Sequence, residues 1–165
     1  MPAGPARIDF DRASGDSRIA RAISLPHAPA AIAIGAGSVW AVDSFEGVVR
    51  RIHPRSGKVL RIIRAGNEPL AIAAGAGAVW VANRQEGSVS RIDPRTSSVS
   101  KAISVGEQPV AVAIGEGSMW VANSADRSLS QVDPRTNRVV KTIPLGRSPQ
   151  GVAVAGRAVW VTVRP

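Results

Sequence analysis

Forty residues separate each tryptophan of this chain from the next, at Trp40, Trp80, Trp120 and Trp160. Prolines at Pro29, Pro69, Pro109 and Pro149 keep the same period, as do the glycine pairs Gly35/Gly37, Gly75/Gly77 and Gly115/Gly117. The turn Asp93-Pro94-Arg95-Thr96 recurs as Asp133-Pro134-Arg135-Thr136 and, altered, as His53-Pro54-Arg55-Ser56. Self-similarity at such a period means one supersecondary unit stacked on its copies, because a single unit cannot bury its own apolar face.

Each unit reads as four short strands. Pro69 to Ala74 is apolar throughout, as expected of a strand covered on both faces. Gly75-Ala76-Gly77 turns the chain into Ala78 to Asn83, and the loop Arg84 to Gly87 leads to a third strand, Ser88 to Ile92. After the Asp-Pro turn, Val99 to Val105 alternates as a half-exposed fourth strand does. One face of the first strand is small (Ala31/Ala33, Ala71/Ala73, Ala111/Ala113, Gly151/Ala153) and the other mostly branched (Ile32/Ile34, Val112/Ile114, Val152/Val154). Those are the requirements of radial sheets packed one on the next, and they predict an all-β fold, a β-propeller with four-stranded blades of about forty residues.

Residues 7–25 read as a third and fourth strand, and 149–163 as a first and second. Head and tail are complementary halves of one blade. The expectation is a single domain, 1–165, with blades 29–65, 69–105 and 109–145 and a composite blade from 7–25 and 149–163 that closes the ring. Two other arrangements fit the count: a pair of chains in an eight-bladed ring, or a piece of a longer propeller. The four tryptophans are expected in the interblade core, each burying about 200 Å² and contributing on the order of 5 kcal/mol at most.

The run Gly-x-Gly-x-Val-Trp-Val-Ala-Asn, with Ser-Arg-Ile-Asp-Pro-x-Thr after it, resembles the YVTN repeats of bacterial propellers. The superfamily so implied includes the streptogramin (virginiamycin B) lyases. The resemblance covers Arg7 to Val163 and implies fold rather than activity. The lyases use two histidines and a glutamate with a divalent cation. This chain has two histidines, and His53 falls in a turn on the face opposite His27. It also reads Trp-Val-Ala-Asn where lyase repeats tend to read Trp-Phe-Thr-Glu. No catalytic constellation is complete, so the chain is read as non-enzymatic, with no cofactor and no metal.

Ligands of propellers meet the face built by the loops after the second strands and those joining blades. That face collects Asp43, Ser44, Phe45 and Glu46; Asn83, Arg84, Gln85 and Glu86; and Asn123, Ser124, Asp126 and Arg127. The interblade loops add His27, Asn67, Glu68, Glu107, Gln108, Arg147 and Ser148. These positions differ between repeats while the scaffold stays alike, which marks them as ligand-binding candidates for a small molecule or protein segment. An equally simple account is that exposed loops drift. Asp43, Asn83 and Asn123 can also set turns through their side chains, as can Asp93 and Asp133 before proline. A weaker grouping of His27 with Glu46, Glu68 or Glu107 could take a cation.

Net charge is +9, carried mostly by arginine, and much of it lies on the outer strands at Arg50/Arg51, Arg61/Arg64, Arg91, Arg138 and Lys141. A solvated rim is the expectation. Nucleic-acid binding would want exposed stacking aromatics among the basic residues, and it is not expected. No apolar run is long enough to span a bilayer and the N-terminus has no signal-peptide pattern, so neither membrane nor export is expected. There is no cysteine, hence no disulfide or thiolate site.

Overall fold

The computed structural model describes the backbone of residues 6–10 and 17–164, and side chains from Ala22 to Arg164. Strands β1 (Ala6–Phe10) and β2 (Ser17–Ala22) form an antiparallel pair. Three four-stranded antiparallel sheets follow, each in simple meander order. The first contains β3 (Ala31–Gly35), β4 (Ser38–Asp43), β5 (Val48–Ile52) and β6 (Val59–Arg64). The second contains β7 (Pro69–Gly75), β8 (Ala78–Asn83), β9 (Ser88–Asp93) and β10 (Ser98–Ser104). The third contains β11 (Pro109–Gly115), β12 (Ser118–Asn123), β13 (Ser128–Asp133) and β14 (Arg138–Pro144). A last pair, β15 (Pro149–Ala155) and β16 (Ala158–Val163), repeats the first two strands of a sheet. No helix occurs among the described residues.

The forty-residue period survives at the level of register. Ala33 lies opposite Trp40, Ala73 opposite Trp80, Ala113 opposite Trp120 and Ala153 opposite Trp160. The hairpins β3–β4, β7–β8 and β11–β12 each turn through two residues with positive φ, Ala36 (48°) and Gly37 (70°) in the first. That is the mirror-image turn whose twist matches the strands it joins. Only the second glycine of each Gly-x-Gly pair has positive φ; the first lies in the strand for a different reason. A Cβ on Gly35 would stand 2.5 Å from the Cβ of Ala74 in the next sheet. Gly75 likewise receives Ile114, and Gly115 receives Val154.

Inner strands β3, β7, β11 and β15 therefore pack in chain order, apolar side chain into glycine gap, and the sheets fan out from them. Between the first two sheets lie Trp40, Val42, Ile72, Val79, Val81 and Ile92. Trp80, Val89, Met119, Val121 and Val132 fill the next junction. Trp40 and Trp80 are wholly enclosed, and their indole N–H groups donate to the carbonyls of Gly35 (3.0 Å) and Gly75 (3.1 Å). Arg51 lies over the Trp40 ring at 5.2 Å and donates to the Pro94 carbonyl in the neighbouring sheet at 2.6 Å. The outer-strand arginines Arg50 and Arg51 are thus not the solvated rim that their position in the sequence implies.

The ends differ from the interior repeats. Trp160 is 67% exposed, since among the described residues no sheet packs on it as the next sheet packs on Trp40 and Trp80. Among the described strands, no pairing joins β1–β2 to β15–β16. β1 pairs only with β2, β16 pairs only with β15, and the outward face of the first sheet leaves Ile34 78% exposed.

The close approach at Gly35 gives a direct test. Gly35→Val should lower unfolding stability by about 1–3 kcal/mol through overpacking against Ala74. Gly37→Asn, at a position with open space and a φ that Asn tolerates, should cost less than about 1 kcal/mol. Urea denaturation followed by tryptophan fluorescence reads both.

Candidate functional site

In the second and third sheets the end of the second strand is held by a neutral network. Asn83 is fully buried and its amide N–H group reaches Ser90 Oγ (2.9 Å), Ser88 Oγ (3.2 Å) and the Ala65 carbonyl (3.3 Å). Asn123 does the same with Ser130 (2.9 Å) and Ser128 (3.0 Å). Gly66, with φ +155°, lies against the Asn83 side chain so closely that a Cβ would come within 2.5 Å of it. Asn83 and Asn123 are therefore structural. Both were expected to face a ligand or set a turn, and both instead point inward as donors.

The first sheet replaces every part of that network. Asp43 stands where the others have Asn, Val48 and Arg50 where they have Ser, and Pro26 where they have Gly66 and Gly106. Arg50 is buried and donates through Nη1 to Asp43 Oδ2 at 2.6 Å, while its Nη2 pairs with Glu46. His27 Nδ1 lies 3.1 Å from the same Asp43 oxygen and 3.5 Å from Glu46 Oε1. Because a carboxylate only accepts, Nδ1 is the donor, which leaves Nε2 as an acceptor in the neutral ring. The His27 ring meets Phe45 with centroids 4.6 Å apart, and Phe45 is 84% exposed. An anchored arginine thus holds a carboxylate, which orients a surface histidine beside an exposed aromatic ring.

Burial of Asp43 works to raise its pKa. The Glu46 backbone N–H, the Arg50 guanidinium and His27 outweigh that, and the carboxyl sits below its ordinary value of 3.8. His27, Asp43 and Glu46 bring ligating atoms within 4.8 Å of one another. Arg50 already supplies a cation to both carboxylates, so a metal ion would have to displace a buried guanidinium, and this donor set does not suit one.

Beside this cluster the loop face opens into two shallow clefts. One, of about 460 Å³, is bordered by Ser44 to Gly47, Arg64, Gly66 to Glu68 and Gln85. Its neighbour, of about 520 Å³, is bordered by Glu68, Arg84 to Gly87, Glu107 and Gln108. Arg84 spans the second cleft, pairing with Glu68 (2.9 Å) and Gln108 (3.3 Å). Glu86 accepts the Asn67 N–H and Asp126 the Glu107 N–H, each at 3.1 Å. Arg147 is exposed, on the loop before the last strand pair, away from both clefts.

The structure thus brings His27, Asp43, Phe45 and Glu46 together, separates Glu68 and Glu107 from His27, and removes Asn83 and Asn123 from the surface. Arg50 was missed. Its signal was present in the repeat alignment, where an Asn-to-Asp change and a Ser-to-Arg change occur in the same unit. His53 lies in its turn on the opposite face, where Nδ1 accepts the Ser56 N–H (3.0 Å), the capping job that Asp93 does for Arg95 (2.8 Å). That opposite face also carries Arg55, Lys58, Arg135, Arg138 and Arg157. The clefts, by contrast, hold more carboxylates than arginines.

No protein-family model matches the chain, and no curated protein matches it in sequence. Solved structures do resemble it. The virginiamycin B lyase of Staphylococcus aureus superposes with a TM-score of 0.74 at 18% identity, over 91% of this chain and 53% of that one. The computationally designed Ika4 protein gives 0.76 at 14% identity, over 87% of this chain and 90% of that one. The apo AztD structure from Citrobacter koseri gives 0.72 at 15% identity, over 99% and 46%. The fold is that of a β-propeller, and the chain spans about half the length of the lyase.

Asp43→Asn should leave buried Arg50 with only the half-exposed Glu46 as charge partner and lower stability at pH 7 by on the order of 3 kcal/mol. The carboxyl is depressed in the folded state, so its contribution is present above the unfolded value of 3.8 and is lost as pH falls through the lower folded value. The gap between wild type and Asp43→Asn should therefore narrow below about pH 4, as read by urea unfolding at a series of pH values.

Proposed function

We propose that this chain is a non-enzymatic β-propeller binding module, built on YVTN-type repeats, that recognises a small ligand or protein segment on its loop face. The observation that carries this reading is the break in repeat symmetry. One repeat of three exchanges a neutral Asn–Ser–Ser network, which already does the structural job, for Asp43, Arg50, Glu46 and His27 with Phe45 exposed beside them. Fold maintenance alone does not call for that exchange, since the Asn83 and Asn123 networks serve the other two.

The chemistry of the face favours one ligand type. Around the clefts Glu46, Glu86 and Glu107 are exposed, while Arg84 is engaged with Glu68. A segment carrying a cationic group next to an apolar one would meet carboxylates and the Phe45 ring together. Read as blades, three are complete and a fourth is divided between β1–β2 and β15–β16. A lyase-like reaction gains no support from the site, because His27 and His53 lie on opposite faces.

Panning a random-peptide phage library against the immobilised chain tests the proposal, with the Phe45→Ser/Glu46→Gln variant as the counter-screen. Enriched peptides should be rich in Lys or Arg with a neighbouring apolar residue, and should lose about tenfold or more in affinity on the variant. Near-ultraviolet circular dichroism of the variant should match wild type. Peptides that bind both proteins equally, or an acidic consensus, would overturn the reading.

A further inference from the structure

We infer that a cleft between the first and second sheets, on the face opposite the loop clefts, binds the phosphate group of a small phosphate monoester. The cleft holds about 350 Å³ and is bordered by Arg51, Leu60, Arg61, Arg95, Thr96 and Ser97. β5 and β6 supply one wall and the turn between β9 and β10 the other. Three of the bordering side chains are guanidiniums, and none is a carboxylate.

The register of the first sheet concentrates that charge. Arg51 on β5 stands directly opposite Arg61 on β6, so both side chains leave the same face of the sheet. Like charges in that relation repel. Among the described residues no carboxylate pairs with either, whereas Arg50, one position away, pairs with both Asp43 and Glu46. Arg95 enters from the next sheet with its own Asp93 at 3.0 Å, an exposed pair that leaves the cleft with net positive charge.

Arg51 is held in place. Its Nε donates to Ser38 Oγ (2.8 Å) and its Nη1 to the Pro94 carbonyl (2.6 Å) and Ser97 Oγ (2.9 Å), over the Trp40 ring. Nη2 has no acceptor among the described residues. The bond to Ser38 does not call for a cation. In the third sheet Gln131 has the position of Arg51, and its Nε2 donates to Ser118 Oγ at 2.9 Å in the same way. In the second sheet Arg91 stands opposite Lys101, but its Nη1 donates to Ser100 Oγ (3.1 Å) within its own sheet. Of the two arginines, Arg51 is the one that crosses to the next sheet's turn.

The donors select the ligand. Guanidiniums converging from β5, β6 and the facing turn suit a group with three terminal oxygens and a double charge, which a phosphate monoester has and a carboxylate lacks. Ser97 Oγ accepts from Arg51 and keeps its own proton to donate. A phosphate group alone would leave much of the cleft unfilled. Leu60, 41% exposed on the border, offers apolar surface to whatever the phosphate is attached to.

Isothermal titration calorimetry with phenyl phosphate decides the matter, with inorganic phosphate and acetate for comparison. Phenyl phosphate should saturate at one per chain and bind more tightly than inorganic phosphate, and acetate should not compete with it. Arg61→Gln, at an exposed side chain, should weaken binding about tenfold or more, and so should Arg51→Gln, which copies Gln131. Arg138→Gln, an exposed change in the third sheet, should bind as wild type. Near-ultraviolet circular dichroism reports whether Arg51→Gln keeps the packing around Trp40; should it not, Arg61→Gln carries the test alone. Binding that never saturates, an equal loss in Arg138→Gln or no loss in Arg61→Gln would overturn the inference. So would acetate or inorganic phosphate that binds as tightly as phenyl phosphate.

Discussion

The contact on which this architecture rests is the insertion of an apolar side chain from one inner strand into a gap left by a glycine of the previous one. Gly35, Gly75 and Gly115 each leave that gap, and Ala74, Ile114 and Val154 fill it. The approach brings successive inner strands close enough for Trp40 and Trp80 to be sealed by the next sheet, with Ile72 and Ile92 against one and Met119 and Val132 against the other. Packing at interior density then sets the angle between sheets, and the loops at one end of them converge as a consequence. Nothing in a single sheet could do this, for each one buries its apolar face only against its neighbours.

Superimposed on that repeated contact is one local exception. A buried ion pair rarely contributes more net stability than a neutral hydrogen-bonded network, since desolvating both charges offsets most of their attraction. Asp43 and Arg50 are therefore better understood by what they position. The guanidinium fixes the carboxylate, the carboxylate fixes the imidazole through Nδ1, and the ring packs on Phe45. Charge is buried so that a histidine can be held still at the surface. The neighbouring repeats, with amide and hydroxyl groups at the same places, hold nothing outward.

How much of this could be read in advance follows from the range of the forces involved. The strands, the two-residue turns and the Asp-Pro caps depend on residues a few positions apart, and the spacing of tryptophan, proline and glycine displayed them. Trp160 obeys the same spacing and yet lies open among the described residues, because its cover must come from a neighbouring sheet and not from residues near it in sequence. Asn83 and Asn123 resemble turn formers in a linear reading, but their amides turn inward to serines five and seven residues on. Arg50 was hidden by a rule that usually holds, that charge on an outer strand is solvated. Its burial is visible only when the exchange at position 43 is considered with it.

The distribution of charge has a consequence for encounter rates. Glu46, Glu68, Glu86 and Glu107 border the loop clefts while Arg55, Arg135, Arg138 and Arg157 lie toward the other face, so the clefts are local acidic patches on a chain of net charge +9. To a distant cation it is repulsive as a whole and attractive on one side only. Screening removes the far field first, over about 8 Å at physiological ionic strength, and leaves close pairing at the clefts nearly intact. Added salt should then hasten the approach of a cationic partner before it weakens the bound state, the reverse of ordinary electrostatic steering. Such a surface admits its partners by orientation at short range, within a Debye length of the clefts.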